Sequence, residues 1–181
     1  MFQYKLINNF LTETECEIIL DYSLNNLELR TAKIMKDNLP IIDSHRKSKI
    51  QFDKFLGFNF LNEKVMNLVL ENVAIEGYEI LWNKRGYQFT SYEKGDYYDW
   101  HTDDSDNRYC SIVIQLNNEY TGGNLELKMN NNVTMENGVG NAAIFLSSLT
   151  HRVTEVLDGN RYSLVNWLVL SPKNGYKKSL I

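Results

Sequence analysis

Two runs decide the fold: Tyr109-Cys110-Ser111-Ile112-Val113-Ile114-Gln115-Leu116 and Arg161-Tyr162-Ser163-Leu164-Val165-Asn166-Trp167-Leu168-Val169-Leu170. Both are rich in β-branched and aromatic residues and contain no Gly or Pro, so each reads as a long strand. Residues 78–82, 87–92, 124–128 and 142–146 have the same character, with Gly122-Gly123, Asn137-Gly138 and Asp158-Gly159 as turns between such runs. Upstream the period lengthens. Thr12, with Glu15 three residues later, forms a capping box ahead of Cys16, Ile18, Ile19, Leu20 and Tyr22, which predicts a helix. Leu61, Val65, Leu68, Val69 and Val73 recur at intervals of three and four, predicting a second helix within 56–73. Two helices followed by many short strands imply an α+β, mainly β fold. Its architecture is an antiparallel double-sheet roll, with the helices covering the outside of a sheet.

The chain has 181 residues, 43% of them apolar, which reads as one domain over 1–181 with its catalytic core at about 78–171. No apolar run is long enough to span a bilayer, and Glu13, Glu15 and Glu17 interrupt any signal-peptide pattern. Cys16 and Cys110 do not make a disulfide framework, which fits a reducing compartment, with the cytoplasm as the default. A net charge of −4 disfavours a general nucleic-acid binder. Between Arg30 and Lys49 the balance is locally basic. This segment reads either as a solvated connection or as a rim guiding an acidic substrate.

Trp100-His101-Thr102-Asp103 and the later His151 hold the chemistry. His101, Asp103 and His151 are two imidazoles and a carboxylate, the ligand set of a non-haem Fe(II) centre with open positions. His-x-Asp alone is weak, but the chain has only three histidines and two of them fall in this pattern. His45, the third, receives no role. Arg161, ten residues after His151, is the residue type that clamps a carboxylate of 2-oxoglutarate bidentately; in isolation it would read as a surface arginine after a turn.

A resemblance then becomes specific. Residues 147–163, with His151, Val153, Val156, Gly159 and Arg161, resemble the distal-histidine motif of the prolyl 4-hydroxylase-like 2-oxoglutarate oxygenases, especially the bacterial PKHD-type hydroxylases. Residues 92–103 resemble the family's tyrosine, glycine and His-x-Asp block. Thr121-Gly122-Gly123 and residues 140–145 resemble its intervening turns and strand, and Arg46-Lys47-Ser48 fits more loosely. The family implies a double-stranded β-helix (a cupin-like jelly roll) with Fe(II) in its mouth and 2-oxoglutarate and O₂ as co-substrates, with ascorbate as a possible reductant. It also implies that Tyr92 lines the 2-oxoglutarate pocket. Collagen-type enzymes usually carry lysine where Arg161 stands, so collagen is not the expected substrate.

Tyr98, Trp100 and Arg152 are candidate substrate-side residues. Strand alternation predicts Tyr98 and Trp100 on one face, opposite Tyr97 and His101. Arg152 reads equally as a solvent-facing residue or a substrate-side cation, and the loop from Asp104 to Arg108 as a lid or substrate contact. By resemblance the substrate is a prolyl residue in a protein or peptide. The alternatives are a hydroxylase of a free amino acid or other small metabolite, and a non-catalytic cupin-like metal-binding roll. A nucleic-acid demethylase is disfavoured because Trp167 stands six residues after Arg161, where a second arginine would be expected. Nothing in the sequence demands an oligomer.

Overall fold

The computed structural model describes residues 2–36, 39–73, 75–82 and 84–173. Two antiparallel sheets face one another. The larger runs, in spatial order, Tyr4–Ile7, Ala142–Leu146, Arg108–Gln115, Arg161–Pro172, Tyr87–Tyr92, Lys49–Asp53 and Arg30–Thr31; Tyr78–Trp82 adds to the far half of Arg161–Pro172. The smaller runs Val133–Thr134, Leu125–Leu127, His151–Val153, Tyr97–His101 and Arg46–Lys47. Because adjacent strands of one sheet come from distant parts of the chain, the roll is a double-stranded β-helix.

Alternation along the strands divides the interior in two. Ile112, Ile114, Phe89, Leu164 and Leu168 point to the outer face of the larger sheet, where Cys16 and Ile19 of the first helix and Leu61, Val65 and Val69 of the second pack on them. Val113, Phe145, Tyr92, Leu125, Leu127, Val153 and Val156 fill the space between the sheets. The buried apolar surface on both faces is what makes the central strands so hydrophobic.

The first helix, Glu13–Asn26, begins at the expected capping box: the Glu15 amide donates to Thr12 Oγ1 at 3.2 Å and the Thr12 amide to Glu15 Oε2 at 2.7 Å. The second, Asn59–Val73, starts later than its apolar run. Phe55 sits at φ 48, which is incompatible with a helix, and its ring joins Phe58 and Tyr22 in an edge-to-face cluster. The turn expected at Asn137-Gly138 falls instead at Val139-Gly140. Gly140, at φ 74, lies against the Leu11 carbonyl with no room for a side chain. Parts of the basic segment are built into the sheets. Arg46–Lys47 closes the smaller sheet, Lys49–Asp53 enters the larger, and the chain crosses between them at Ser48.

Candidate metal centre

His101 ends the strand Tyr97–His101, and His151 begins His151–Val153; the two face each other across the smaller sheet. The pairing then shifts, so that Val153 faces Tyr98: two residues on one strand span three on the other. This bulge at Asp99-Trp100 overturns the simple alternation expected from sequence. Tyr98 shares the inner face with His101, and their rings stack with centroids 3.4 Å apart. The polar groups of the bulge are satisfied by the chain around His45. The Asp99 amide donates to the His45 carbonyl at 2.9 Å, and His45 Nε2 lies 3.1 Å from the Trp100 carbonyl.

Asp103 stands just beyond the strand and is fastened to the opposite sheet. Its amide donates to the Ser147 carbonyl at 2.7 Å, and its Oδ2 accepts from Ser111 Oγ at 2.9 Å, with Ser147 Oγ 3.0 Å behind. The histidine rings are oriented by their own backbones. Nδ1 of His101 lies 2.8 Å from the Asp99 carbonyl and Nδ1 of His151 lies 2.9 Å from the Leu149 carbonyl. A carbonyl can only accept, so Nδ1 carries the proton and each Nε2 presents a lone pair inward. Nε2 of His101 is 3.7 Å from Asp103 Oδ1, Nε2 of His151 is 3.4 Å from Oδ2, and the ligand atoms of all three lie within 4.8 Å of one another.

The electrostatics favour the forms a metal needs. Burial, reinforced by the neighbouring His151, pulls the His101 imidazole down to about 3. Burial pushes the Asp103 carboxyl up, but His151 and then His101, whenever they carry a second proton, outweigh it and hold the group below the usual carboxylate range. Neutral imidazoles beside an ionised carboxylate, without a thiolate, suit Fe(II).

Arg161 opens the long strand opposite Tyr92 and is 1% exposed. Its Nη1 donates to Ser163 Oγ at 3.0 Å and its guanidinium lies 5.3 Å from the Tyr92 ring centroid. Nε and Nη2, the two donors along one edge of the guanidinium, are buried without a protein acceptor. The Tyr120 hydroxyl, buried and also unpartnered, is close enough to feel the Arg161 charge. A buried cation with one whole edge unused is costly unless an anion completes it. A carboxylate of 2-oxoglutarate has the matching two-oxygen fork.

Not every sequence candidate reaches this face. Alternation on His151–Val153 turns Arg152 outward, where its Nε meets Glu126 at 2.8 Å and its guanidinium stacks 4.5 Å over Trp100. Trp100 and Arg152 therefore stand together on the outside of the smaller sheet, away from the face of His101 and Tyr98. Tyr98 remains at the centre. The segment after Asp103 is a short 3-10 turn, Ser105–Asn107, and Arg108 following it lies 4.1 Å over the Trp167 ring.

Sequence reasoning missed several neighbours. Ser111 and Ser147 support Asp103, and Tyr120 faces Arg161. Trp167, cross-strand from Ser111, has a buried indole N–H that favours the ionised form of Asp103. Arg46, 9% exposed, donates from Nε to Ser48 Oγ at 2.9 Å and stacks its guanidinium 4.5 Å over Tyr98. Only the His-x-Asp and His…Arg spacings carried a local signal; Ser147 is an ordinary turn residue and the other four ordinary strand residues until the sheets close.

Residues 87–169 match the 2OG-Fe(II) oxygenase superfamily. A PKHD-type hydroxylase of Prochlorococcus marinus is 26% identical over 146 residues, 76% of this chain, and the match spans 66% of that relative's length. Among solved structures, a prolyl hydroxylase from Trichoplax adhaerens, in complex with a hypoxia inducible factor oxygen degradation domain peptide fragment, superposes with a TM-score of 0.75. It is 21% identical, covering 93% of this chain and 84% of its own. A Pseudomonas putida prolyl-4-hydroxylase gives 0.70 at 20% identity, covering 93% of each chain. Among the described residues, no helix is long and apolar enough to cross a membrane. By family match, relatives and fold, the chain is similar to the 2-oxoglutarate/Fe(II) oxygenases of the PKHD and prolyl-hydroxylase-like type.

Proposed function

We propose that the chain is an Fe(II)- and 2-oxoglutarate-dependent hydroxylase whose substrate is a prolyl residue in a protein or peptide. The observation that carries the reading is the unused edge of Arg161 between the sheets, where Tyr92 and Tyr120 beside it share one core cluster with Phe145, whose ring meets His151 at 4.6 Å. A binding-only roll would use the metal ligands but has no need for a buried guanidinium awaiting an anion. The prolyl assignment draws on the naming of the relatives.

His101, Asp103 and His151 would hold the iron, and Arg161 would take the distal carboxylate of 2-oxoglutarate, with Tyr92 and Tyr120 lining that end. With O₂ present, the bound pair supplies an oxidation strong enough to hydroxylate an unactivated C–H bond, coupled to conversion of 2-oxoglutarate to succinate and CO₂. The protein's contribution is positional. Ser111 and Ser147 fix the carboxylate of Asp103. The Asp99 and Leu149 carbonyls fix the rings. Tyr98, wedged between Arg46 and His101, gives the pocket an aromatic wall that excludes water.

The test is succinate formation from 2-oxoglutarate with Fe(II) and ascorbate in air, with and without proline-containing peptides. Wild type should turn over and His151→Ala should not. Arg161→Ala should weaken 2-oxoglutarate binding by roughly a hundredfold, because it removes a buried charge partner. Addition of one oxygen atom to a peptide proline identifies the substrate class; oxygen addition only to a free amino acid favours the small-metabolite alternative. Failure to bind either iron or 2-oxoglutarate overturns the reading.

A further inference from the structure

Strand alternation puts Gln88 on the inner face of the larger sheet, since Tyr87 and Phe89 on either side of it belong to the cluster under the helices. Register fixes what surrounds it. Gln88 lies opposite Val165 on one neighbouring strand and opposite Phe52 on the other. Val165 packs against the cluster between the sheets, and Phe52 reaches across to Trp167 with ring centroids 6.2 Å apart. Trp167 is cross-strand from Ser111, which donates to Asp103, and the indole N–H of Trp167 is itself near enough to steady that carboxylate. Gln88 therefore belongs to the wall that extends along the larger sheet from the carboxylate ligand of the metal centre.

Its neighbours on this wall, Val165, Phe52 and Trp167, are apolar or aromatic. Burying a carboxamide among them costs free energy unless its polar groups are met. Gln88 is only 5% exposed, and its Nε2 donates to Thr90 Oγ1 at 2.9 Å. Thr90, 1% exposed, thus holds one end of the amide in place. Among the described residues nothing donates to the other end, the Oε1. The result is a buried side chain that is anchored at its nitrogen and has an acceptor still to be satisfied.

We propose that Gln88 is a specificity-determining residue that reads the main chain of the substrate beside the residue to be hydroxylated, accepting a peptide N–H at its Oε1. The chemistry favours a peptide over a free amino acid. A carboxamide offers a neutral acceptor and neutral donors, the complement of a peptide unit. The ammonium and carboxylate of a free amino acid would each call for an opposing full charge, which Gln88 does not carry. Proline in a chain has no N–H of its own, so the donors nearest the reacting ring belong to the residues before and after it. The identity of the guest as substrate rests on the hydroxylase reading.

The experiment measures fluorescence anisotropy of labelled peptides with one central proline on the Fe(II)- and 2-oxoglutarate-loaded protein without oxygen. The N–H of the residue before the proline, and that of the residue after it, are replaced in turn by an ester oxygen, which removes the donor with little change of shape. On wild type one of the two esters should bind about fivefold more weakly than the parent peptide, the worth of one neutral hydrogen bond. Gln88→Met should bind the parent more weakly by a similar factor and no longer distinguish that ester from it. Thr90→Val, which releases the amide without removing it, should lose part of the discrimination and serves as the comparison if Gln88→Met does not unfold cooperatively in urea. Losses in Gln88→Met that are equal for parent and ester mean a purely structural role and overturn the proposal. So does a wild type that binds the parent and both esters equally. Failure of every prolyl peptide to bind wild type, with 2-oxoglutarate still bound, would instead defeat the prolyl reading and take the proposal with it.

Discussion

Ser111 shows how much of the metal centre lies outside its ligands. Fully buried and on the opposite sheet, it donates to Asp103 and meets Ser147, so one hydroxyl couples the carboxylate to the larger sheet. Ser111→Ala should lower Fe(II) affinity by roughly ten- to a hundredfold, as losses of supporting hydrogen bonds at metal sites do. A metal titration followed by 2-oxoglutarate turnover measures it, and unchanged affinity would mean that Asp103 is held by its backbone alone. Gly123 plays the matching part at the other end of the pocket. At φ 60, it leaves the space that a Cβ would occupy 3.1 Å from Arg161 Cδ and 3.2 Å from the Tyr120 ring. Gly123→Ala should cost about 1–2 kcal/mol of stability through backbone strain. It should weaken 2-oxoglutarate binding while leaving metal affinity intact; equal losses of both would point to a general collapse of the roll. Ser111 does not announce itself in a strand-forming sequence and Gly123 reads there only as a turn residue, because the part each plays in the pocket exists only through the chain packed against it.

At the scale of elements, local chemistry was legible and strand irregularity was not. The first helix was readable because its start is decided by two residues, Thr12 and Glu15, whose side chains and backbones bond reciprocally. Thr12→Ala should therefore cost about 1 kcal/mol, seen as a lower urea midpoint with an unchanged slope. A shift no larger than at a neighbouring exposed residue would mean the helix is held by packing alone. The strand Tyr97–His101 was also recognised, but its bulge was not. The extra residue is stabilised by the chain at His45, more than fifty positions away, which supplies both the acceptor for the Asp99 amide and a contact to the Trp100 carbonyl. Tyr98 consequently shares the face of His101, against the alternation expected, while Trp100 stays opposite that face. The short edge strands within residues 30–53 were missed for a related reason: too brief to show a period, they form only because sheet edges are waiting for them.

Across the whole molecule, the site ties stability to pH. His101 sits near 3 in the fold against 6.5 for a free imidazole, so between those values the unfolded chain binds the extra proton. Stability must then fall as the pH drops through that interval. Asp103, held below its ordinary value of 3.8, adds stability that is present above that value and lost further into acid. The metal-free protein should show a falling Tm from about pH 6.5 downward, with a shallower slope in His101→Asn; parallel slopes would exclude His101 as the cause. The sequence by itself determined the classes of element, the antiparallel roll, and the spacings that marked His101, Asp103, His151 and Arg161, because capping, periodicity and ligand type are properties of a few neighbouring residues. Tertiary structure alone decided which side chains face the metal and which donors of Arg161 are left unpaired. Those depend on two sheets meeting across the interior, where a bulge or a glycine on one strand sets what the other can touch.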